Sequence, residues 1–472
     1  MEPSPRLNGH AIDGPRFRTP FGFLAVMRRD PLRFLMEATR KHGRQVRIRF
    51  TPFVSFLFSA PDDLKHILHD RHRNYWKGVV FGKLKRVAGE GLVFSDGDLW
   101  RRQRQLIQPA FHRERIGALA GMMTAASAEM LDGWERIGGD RPTLDVAGAM
   151  SRLTLGIVGK ALFTTDLGED EEEFRDTVGE GLVYANHLIN HFFTPPLWVP
   201  TRANRRGRRA IAAMDRIIWG IIAARRREDR ERGDLLSMLI AARDAETHQA
   251  MDDRQLRDEC ITFLVAGHET TAVALSWTFH LLAQHPEVER RLHDEVDQAL
   301  GGRVPELQDL AELPFTRMVL EESMRLYPPA WATSRQAYEE DLVGGVRVPA
   351  GTNVTLSPYV THRDPELWPD PERFDPERFS PERSAGRHEY AYLPFGAGPR
   401  RCVGNQFAMM EGQLVLAMVA QRFRLESVPG RPVEPDPILT LRPRNGLPMV
   451  LVRRSRSATY GSRKRTAPVW MS

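Results

Sequence analysis

FGAGPRRCVG, Phe395 to Gly404, is the stretch on which the reading of this chain turns. Gly396, Gly398 and Pro399 specify an irregular turn, and a helical pattern follows from about Gly404 to Arg422, so Cys402 stands where a helix begins. Unpaired backbone N–H groups at a helix start favour an anion and lower a thiol pKa. Arg400 and Arg401 push the same way. A thiolate in such a place suits either a nucleophile or a ligand to an iron centre. The nucleophile reading needs a histidine base and an orienting acid or amide, and no cysteine-protease signature surrounds Cys402. For an isolated cysteine the default is a small buried hydrophobe.

Outward from this loop, the patterning predicts a mainly α protein with a smaller β-rich region. From about Trp100 to Leu300 apolar residues recur at helical spacing, punctuated at Pro109, Gly138-Gly139, Pro195-Pro196, Gly233 and Pro286. Residues 44 to 59, RQVRIRFTPFVSFLFS, alternate about a Thr-Pro break and predict a β-hairpin, with a short helix Pro61 to Asp70 behind it. After Asp341, GGVRVPAGTNVTLS predicts a second hairpin around its Pro-Ala-Gly turn. Asp364 to Arg387 carries the near-repeat DPERF, DPERF, SPER with neither period, and an ordered loop of that length is usually functional.

Composition excludes several classes. The chain has 472 residues, 42% hydrophobic and 27% charged, which is an ordinary globular balance. A net charge of +6 over that length is too diffuse for a nucleic-acid binder. Two cysteines, Cys260 and Cys402, make neither a disulfide framework nor a four-cysteine zinc site and point to a reducing compartment. The N-terminal apolar run Phe21 to Met27 is too short for a signal-peptide core or a membrane span, so the expected location is cytoplasmic. No G-x-G-x-x-G, Walker A, G-x-S-x-G or H-E-x-x-H occurs, so no nucleotide, flavin or zinc-protease machinery is recognisable.

The positions Phe395, Gly398, Arg400, Cys402 and Gly404 resemble the heme-binding signature of the cytochrome P-450 family. The resemblance implies heme b, iron protoporphyrin IX, with Cys402 as proximal iron ligand and Arg400 reaching a propionate. Four further motifs agree with it. AGHETT, Ala266 to Thr271, interrupts a long apolar helix with a glycine and two threonines, a combination that bends helices. In the family this motif lies opposite the cysteine, which implies that Ala266 and Gly267 leave room for dioxygen, that Thr270 hydrogen-bonds the bound oxygen and that Glu269 relays protons. EESMR places Glu321 or Glu322 within reach of Arg325, and the family's spacing selects Glu322. FDPERF supplies Arg378 as the third member of that triad, with Arg373 of the near-copy as its competitor. WRRQR implies that Trp100 and Arg104 contact a propionate, and Arg335 in PPAWATSRQA stands at the usual place for another partner.

The resemblance covers roughly residues 15 to 452, which implies one heme domain preceded by an extension, 1 to 14, and followed by a basic, disordered tail, 453 to 472. The heme is implied to lie between the kinked distal helix and the cysteine loop. Implied pocket regions are Phe81 to Phe94, Tyr184 to His191, Phe263 to Ala266, Ala330 to Thr333 and Leu439 to Leu441. The implied function is a heme-thiolate monooxygenase of soluble bacterial type, acting on an apolar substrate such as a fatty acid or terpenoid. Electrons would come from a separate ferredoxin or flavodoxin-type donor with its reductase, docking on a face shared by Arg101, Arg102, Arg113, Arg400 and Arg401. The rivals are a peroxide-using or peroxide-rearranging relative, which Glu269 with Thr270 argues against, and a non-catalytic Arg-rich scaffold for nucleic acid. The Arg run from Arg225 is expected to be a solvated face.

Overall fold

A computed structural model describes residues 12–163, 171–191, 194–228, 232–244 and 248–454. The central element is the helix Asp253–Gln284, hereafter the distal helix. It starts where the Asp252 side chain accepts the Gln255 N–H, and it is buried on all sides along most of its length. A helix that is apolar all round belongs at the centre of a large core. It packs along Val146–Phe163 and against Pro314–Leu326 and Asn405–Arg422. Val146–Phe163 is long and apolar enough to cross a membrane, the one such helix among the described residues, but 67% of it is buried inside the protein.

The first hairpin forms as expected, Gln45–Phe50 against Phe53–Phe58, within a six-stranded sheet. The second does not. Val346–Val348 pairs with Asp341–Val343, while Asn353–Leu356 crosses to the large sheet and runs parallel to Phe53–Phe58. The turn residues decide this: Gly344 and Gly345 have φ of 51° and 80°, and two consecutive left-handed residues make a tight hairpin turn. The Pro-Ala-Gly turn instead hands the chain from one sheet to another. A strand at Thr143–Asp145, inside the run read as helical, pairs with Pro448–Arg453. Three residues are too few to interrupt a helical period.

Residues 1–11 and 455–472, most of the expected extension and tail, lie outside the described residues. The Pro-rich stretch contains only a single 3-10 turn, Pro376–Phe379, and a short helix, Pro381–Ser384, around buried Trp368 and Phe374. Arg225 departs from the expected solvated face. It is buried, bonded to Asp234, Ser237 and the Phe163 carbonyl, because its side chain points into the junction of three helices.

Candidate active site

The cysteine loop closes by two backbone bonds, Cys402 N–H to Phe395 O at 2.9 Å and Arg401 N–H to Gly398 O at 3.0 Å. Gly398 has φ of +66°, and a Cβ on it would stand 2.1 Å from the Leu68 carbonyl oxygen, so no other residue fits there. The helix begins at Asn405, just past the cysteine. The thiol differs from expectation in one respect. Cys402 is accessible, yet protein crowds its other sides, and that desolvation raises its pKa against the downward pull of the Gly404 N–H, Arg104 and Arg401. Arg400 takes no part in that pull. It turns inward, 2.8 Å from Asp96, bonded to the Ser95 carbonyl and lying over the Trp100 ring at 4.4 Å. It is therefore turned away from the expected docking face, while Arg102 stays partly exposed, bonded to the Ala250 carbonyl and 4.0 Å from Asp244.

Glu322, Arg325 and Arg378 meet in a dry cluster. Arg325 clamps both Glu322 oxygens at 2.6 and 2.8 Å, and Arg378 adds a bond at 3.2 Å. Arg373 contributes only its carbonyl, which accepts from Arg325 at 3.1 Å. Glu321 faces away and pairs with Arg317. Sequence reading missed the next link. Arg325 donates to the His362 carbonyl, and the His362 ring is pinned between the Arg325 carbonyl on Nδ1 and the Leu393 N–H on Nε2. Burial, with Arg325 nearby, holds this imidazole neutral by lowering its pKa to about 3. Leu393 is two residues before Phe395, so the triad grips the cysteine loop through a histidine. That histidine carries no local motif to reveal it.

On the distal helix, Ala266 is exposed although its neighbours Leu264 and His268 are buried. Thr270 donates to the Ala266 carbonyl at 2.7 Å and Thr271 to that of Gly267 at 3.1 Å, the back-bonding expected of a bent helix. A Cβ on Gly267 would meet Val158 at 2.6 Å, so the glycine lets Val146–Phe163 approach. Glu269 accepts the Thr440 hydroxyl at 2.9 Å and has the His268 ring 3.7 Å away. Glu411 was not anticipated. It is wholly buried on the helix behind the cysteine, has no hydrogen bond of normal length, and is pushed well above the usual carboxylate range by burial.

Beside the cysteine loop gather four basic side chains and one carboxylate. Lys77 and Arg335 lie beside Arg400 and Asp96, while Arg104 reaches the Arg401 carbonyl at 2.9 Å and acts on Cys402. Arg335 is 6% exposed and bonds only its neighbours Thr333 and Ser334. Burial lowers its pKa to about 10, and Arg400 adds to the shift.

A thiol on a pinned loop, a long core helix with an exposed alanine and two back-bonded threonines, and basic side chains in excess of their carboxylate together point to one known architecture. The cytochrome P450 family model matches residues 13–449. The chain belongs to the cytochrome P450 family. A solved cytochrome P450DA heme domain superposes with a TM-score of 0.85 at 26% identity, covering 95% of this chain and 99% of that one. Among curated relatives, cyclooctat-9-en-7-ol 5-monooxygenase of Streptomyces melanosporofaciens is 40% identical over 87% of this chain and 88% of its own length. Cyclooctatin synthase of the same organism is 38% identical over 89% and 91%, and pentalenene oxygenase of Streptomyces avermitilis is 34% identical over 88% and 91%. The protein is thus a P450 monooxygenase with heme b as its cofactor.

The residues fit that cofactor. Two propionates would answer the surplus of Lys77, Arg104, Arg335 and Arg400 over Asp96: of these four, Arg400 is the one with a carboxylate partner among the described residues. The accessible Cys402 thiol is the soft donor a heme iron requires, and iron binding would deprotonate it despite its raised pKa. Lys77 is the cation that sequence reading missed. Its signal is spatial, because the strand Tyr75–Lys77 pairs antiparallel with Thr333–Ala337 and sets Lys77 opposite Arg335.

Proposed function

We propose that this P450 inserts one atom of dioxygen into an apolar terpenoid substrate and reduces the other to water, with electrons from a separate ferredoxin- or flavodoxin-type donor in the cytoplasm. The observation that carries the substrate class is the 40% identity to a relative named as cyclooctat-9-en-7-ol 5-monooxygenase, with pentalenene oxygenase at 34% in support. Both names describe ring systems with at most one hydroxyl, which favours a terpenoid over a fatty acid, whose carboxylate needs a cationic anchor. The implied pocket regions contribute Phe81, Phe94, Phe263 and Trp331, and the Trp331 N–H is already engaged with the Ile438 carbonyl. These four side chains offer apolar contact to a substrate.

Bound heme supplies the oxidative chemistry, held by Cys402 and by Lys77, Trp100, Arg104, Arg335 and Arg400 at its propionates. The chain's own work is positioning and proton supply. Thr270, at the gap left by Ala266, offers a hydroxyl on the distal side. Glu269, one residue earlier and hydrogen-bonded to Thr440, is placed to pass protons inward. An acid next to an alcohol on this helix favours the dioxygen-using reading over a peroxide-using one. For the electron donor, Arg101, Arg113 and Arg401 remain exposed and form the proposed docking patch for an acidic partner.

The deciding experiment is the difference spectrum of the reduced protein with carbon monoxide. The wild type should show the thiolate-type Soret shift, and Cys402→Ser should lose it. Terpenoids and fatty acids titrated against the ferric spin state then separate the substrate classes. A response confined to fatty acids would sink the terpenoid proposal.

A further inference from the structure

The segment Gly89 to Asp96 joins the helices Val79–Ala88 and Gly97–Ile107. Two of its N–H groups are taken by neighbouring carboxyls of the distal helix, Glu90 N–H by Asp258 at 2.8 Å and Leu92 N–H by Glu259 at 2.9 Å. Its two glycines mark how closely it lies on that helix. A Cβ on Gly89, whose φ is +74°, would stand 2.1 to 2.3 Å from the Asp258 carboxyl, and one on Gly91 would stand 2.1 Å from Thr262 Oγ1. At its far end the segment is held from the opposite side, where Arg400 bonds the Ser95 carbonyl at 3.0 Å and Asp96 at 2.8 Å. Between those ends Leu92 and Phe94 are buried, and Phe94 packs on Phe81 at 6.4 Å. The two carboxyls are not equivalent. Asp258 is paired with Arg257, which also holds Asp215. Glu259 is wholly buried, its second oxygen has no partner, and burial, with Asp258 beside it, pushes its pKa up to about 8.

We infer that Asp258 and Glu259 are positioning residues that clamp Gly89–Phe94 onto the distal helix, fixing the substrate-facing wall of the site and, through Ser95 and Asp96, the guanidinium of Arg400. The segment is then the mechanical link between the distal helix and the cysteine loop. This inference rests on the substrate site proposed above. The geometry explains why backbone N–H groups, rather than side chains, meet the carboxyls: the glycines bring the chain too close for anything larger.

The test is hydrogen exchange on the heme-loaded full chain, with spin-state titration by farnesol as the apolar probe. In Glu259→Leu, which removes the acceptor, and in Gly91→Ala, which keeps it but pushes the segment off the helix, amides of 89–96 should exchange about tenfold faster. Peptides from Pro314–Leu326 should be unchanged, which a general loss of stability would not allow. Glu259→Gln, a neutral near-isostere that still accepts from Leu92, should behave as wild type. The farnesol midpoint should weaken about tenfold in the two loosened variants only. Unchanged exchange in both variants, or a loosened segment with an unchanged farnesol midpoint, would overturn the clamp. If the wild type gives no farnesol response, the substrate reading falls and the exchange rates alone confirm or overturn the clamp.

Discussion

The two faces that meet at the heme site are built on opposite principles. Behind the cysteine, Glu322, Arg325, Arg378 and His362 are all buried, and they lock together through charge-assisted bonds that end on the Leu393 N–H. On the distal face Ala266, Glu269 and Thr270 are partly open, and Glu269 and Thr270 each make one hydrogen bond, with the Thr440 hydroxyl and the Ala266 carbonyl. The difference follows from what each face must do. A metal ligand has to stay at one distance, and buried ion clusters give one geometry at a high cost for any other. A face that admits substrate and oxygen needs small side chains and hydroxyls that can change partners.

That contrast can be broken by mutation, starting where the effect should be largest. Glu322→Ala should cost about 3 to 5 kcal/mol, because it strands two buried guanidinium groups, and the holoenzyme should release heme on the same denaturation curve. Arg317→Ala, which removes the exposed partner of Glu321, should cost under about 1 kcal/mol. Equal costs would erase the distinction between locked and decorative pairs. On the distal face, Thr270→Ala should lower product formation by about 10²-fold while leaving heme content and the substrate-induced spin shift intact. Heme loss in that variant would mean the distal face is structural after all.

Two smaller effects sharpen the comparison. Lys77→Leu should weaken heme retention about tenfold, measured by transfer to apomyoglobin, since it removes one of the cations assigned to the propionates. The smallest concerns pH. His362 has a folded pKa near 3 against an ordinary 6.5, so the unfolded chain binds the proton first on acidification. Its contribution to stability is complete above about pH 6.5 and is lost as pH falls toward 3. His280 and His293, both lowered to about 4 by burial, act in the same direction. His362→Asn should therefore show a shallower fall of melting temperature between neutral and acidic pH than wild type, whatever its absolute stability.

How much of this was legible beforehand depended on whether a signal was local. The hairpin at Gln45–Phe58, the distal helix and the helix after the cysteine were readable because alternation and helical period are carried by neighbouring residues. The partner of Asn353–Leu356 was misread, although the Gly344-Gly345 pair that decides it is in plain view, because a turn signal one strand upstream competes with a Pro-Ala-Gly turn inside the segment. Lys77 and His362 were missed because their neighbours, Arg335 and Leu393, lie far away in sequence or carry no local motif.

The sequence alone determined the chemistry: a cysteine in a glycine-proline loop, an acid–alcohol pair in an apolar helix, and a Glu-x-x-Arg with a Pro-rich arginine are each complete within a few residues. Only the tertiary structure decided which charges act on which. It turned Arg400 from the thiol to Asp96, tied the Glu322 cluster to the cysteine loop through His362, and let desolvation outweigh the positive charges around Cys402. The physical reason is that a residue's identity fixes the sign of its charge, whereas burial and distance, which fold and packing set, fix how strongly that charge is felt.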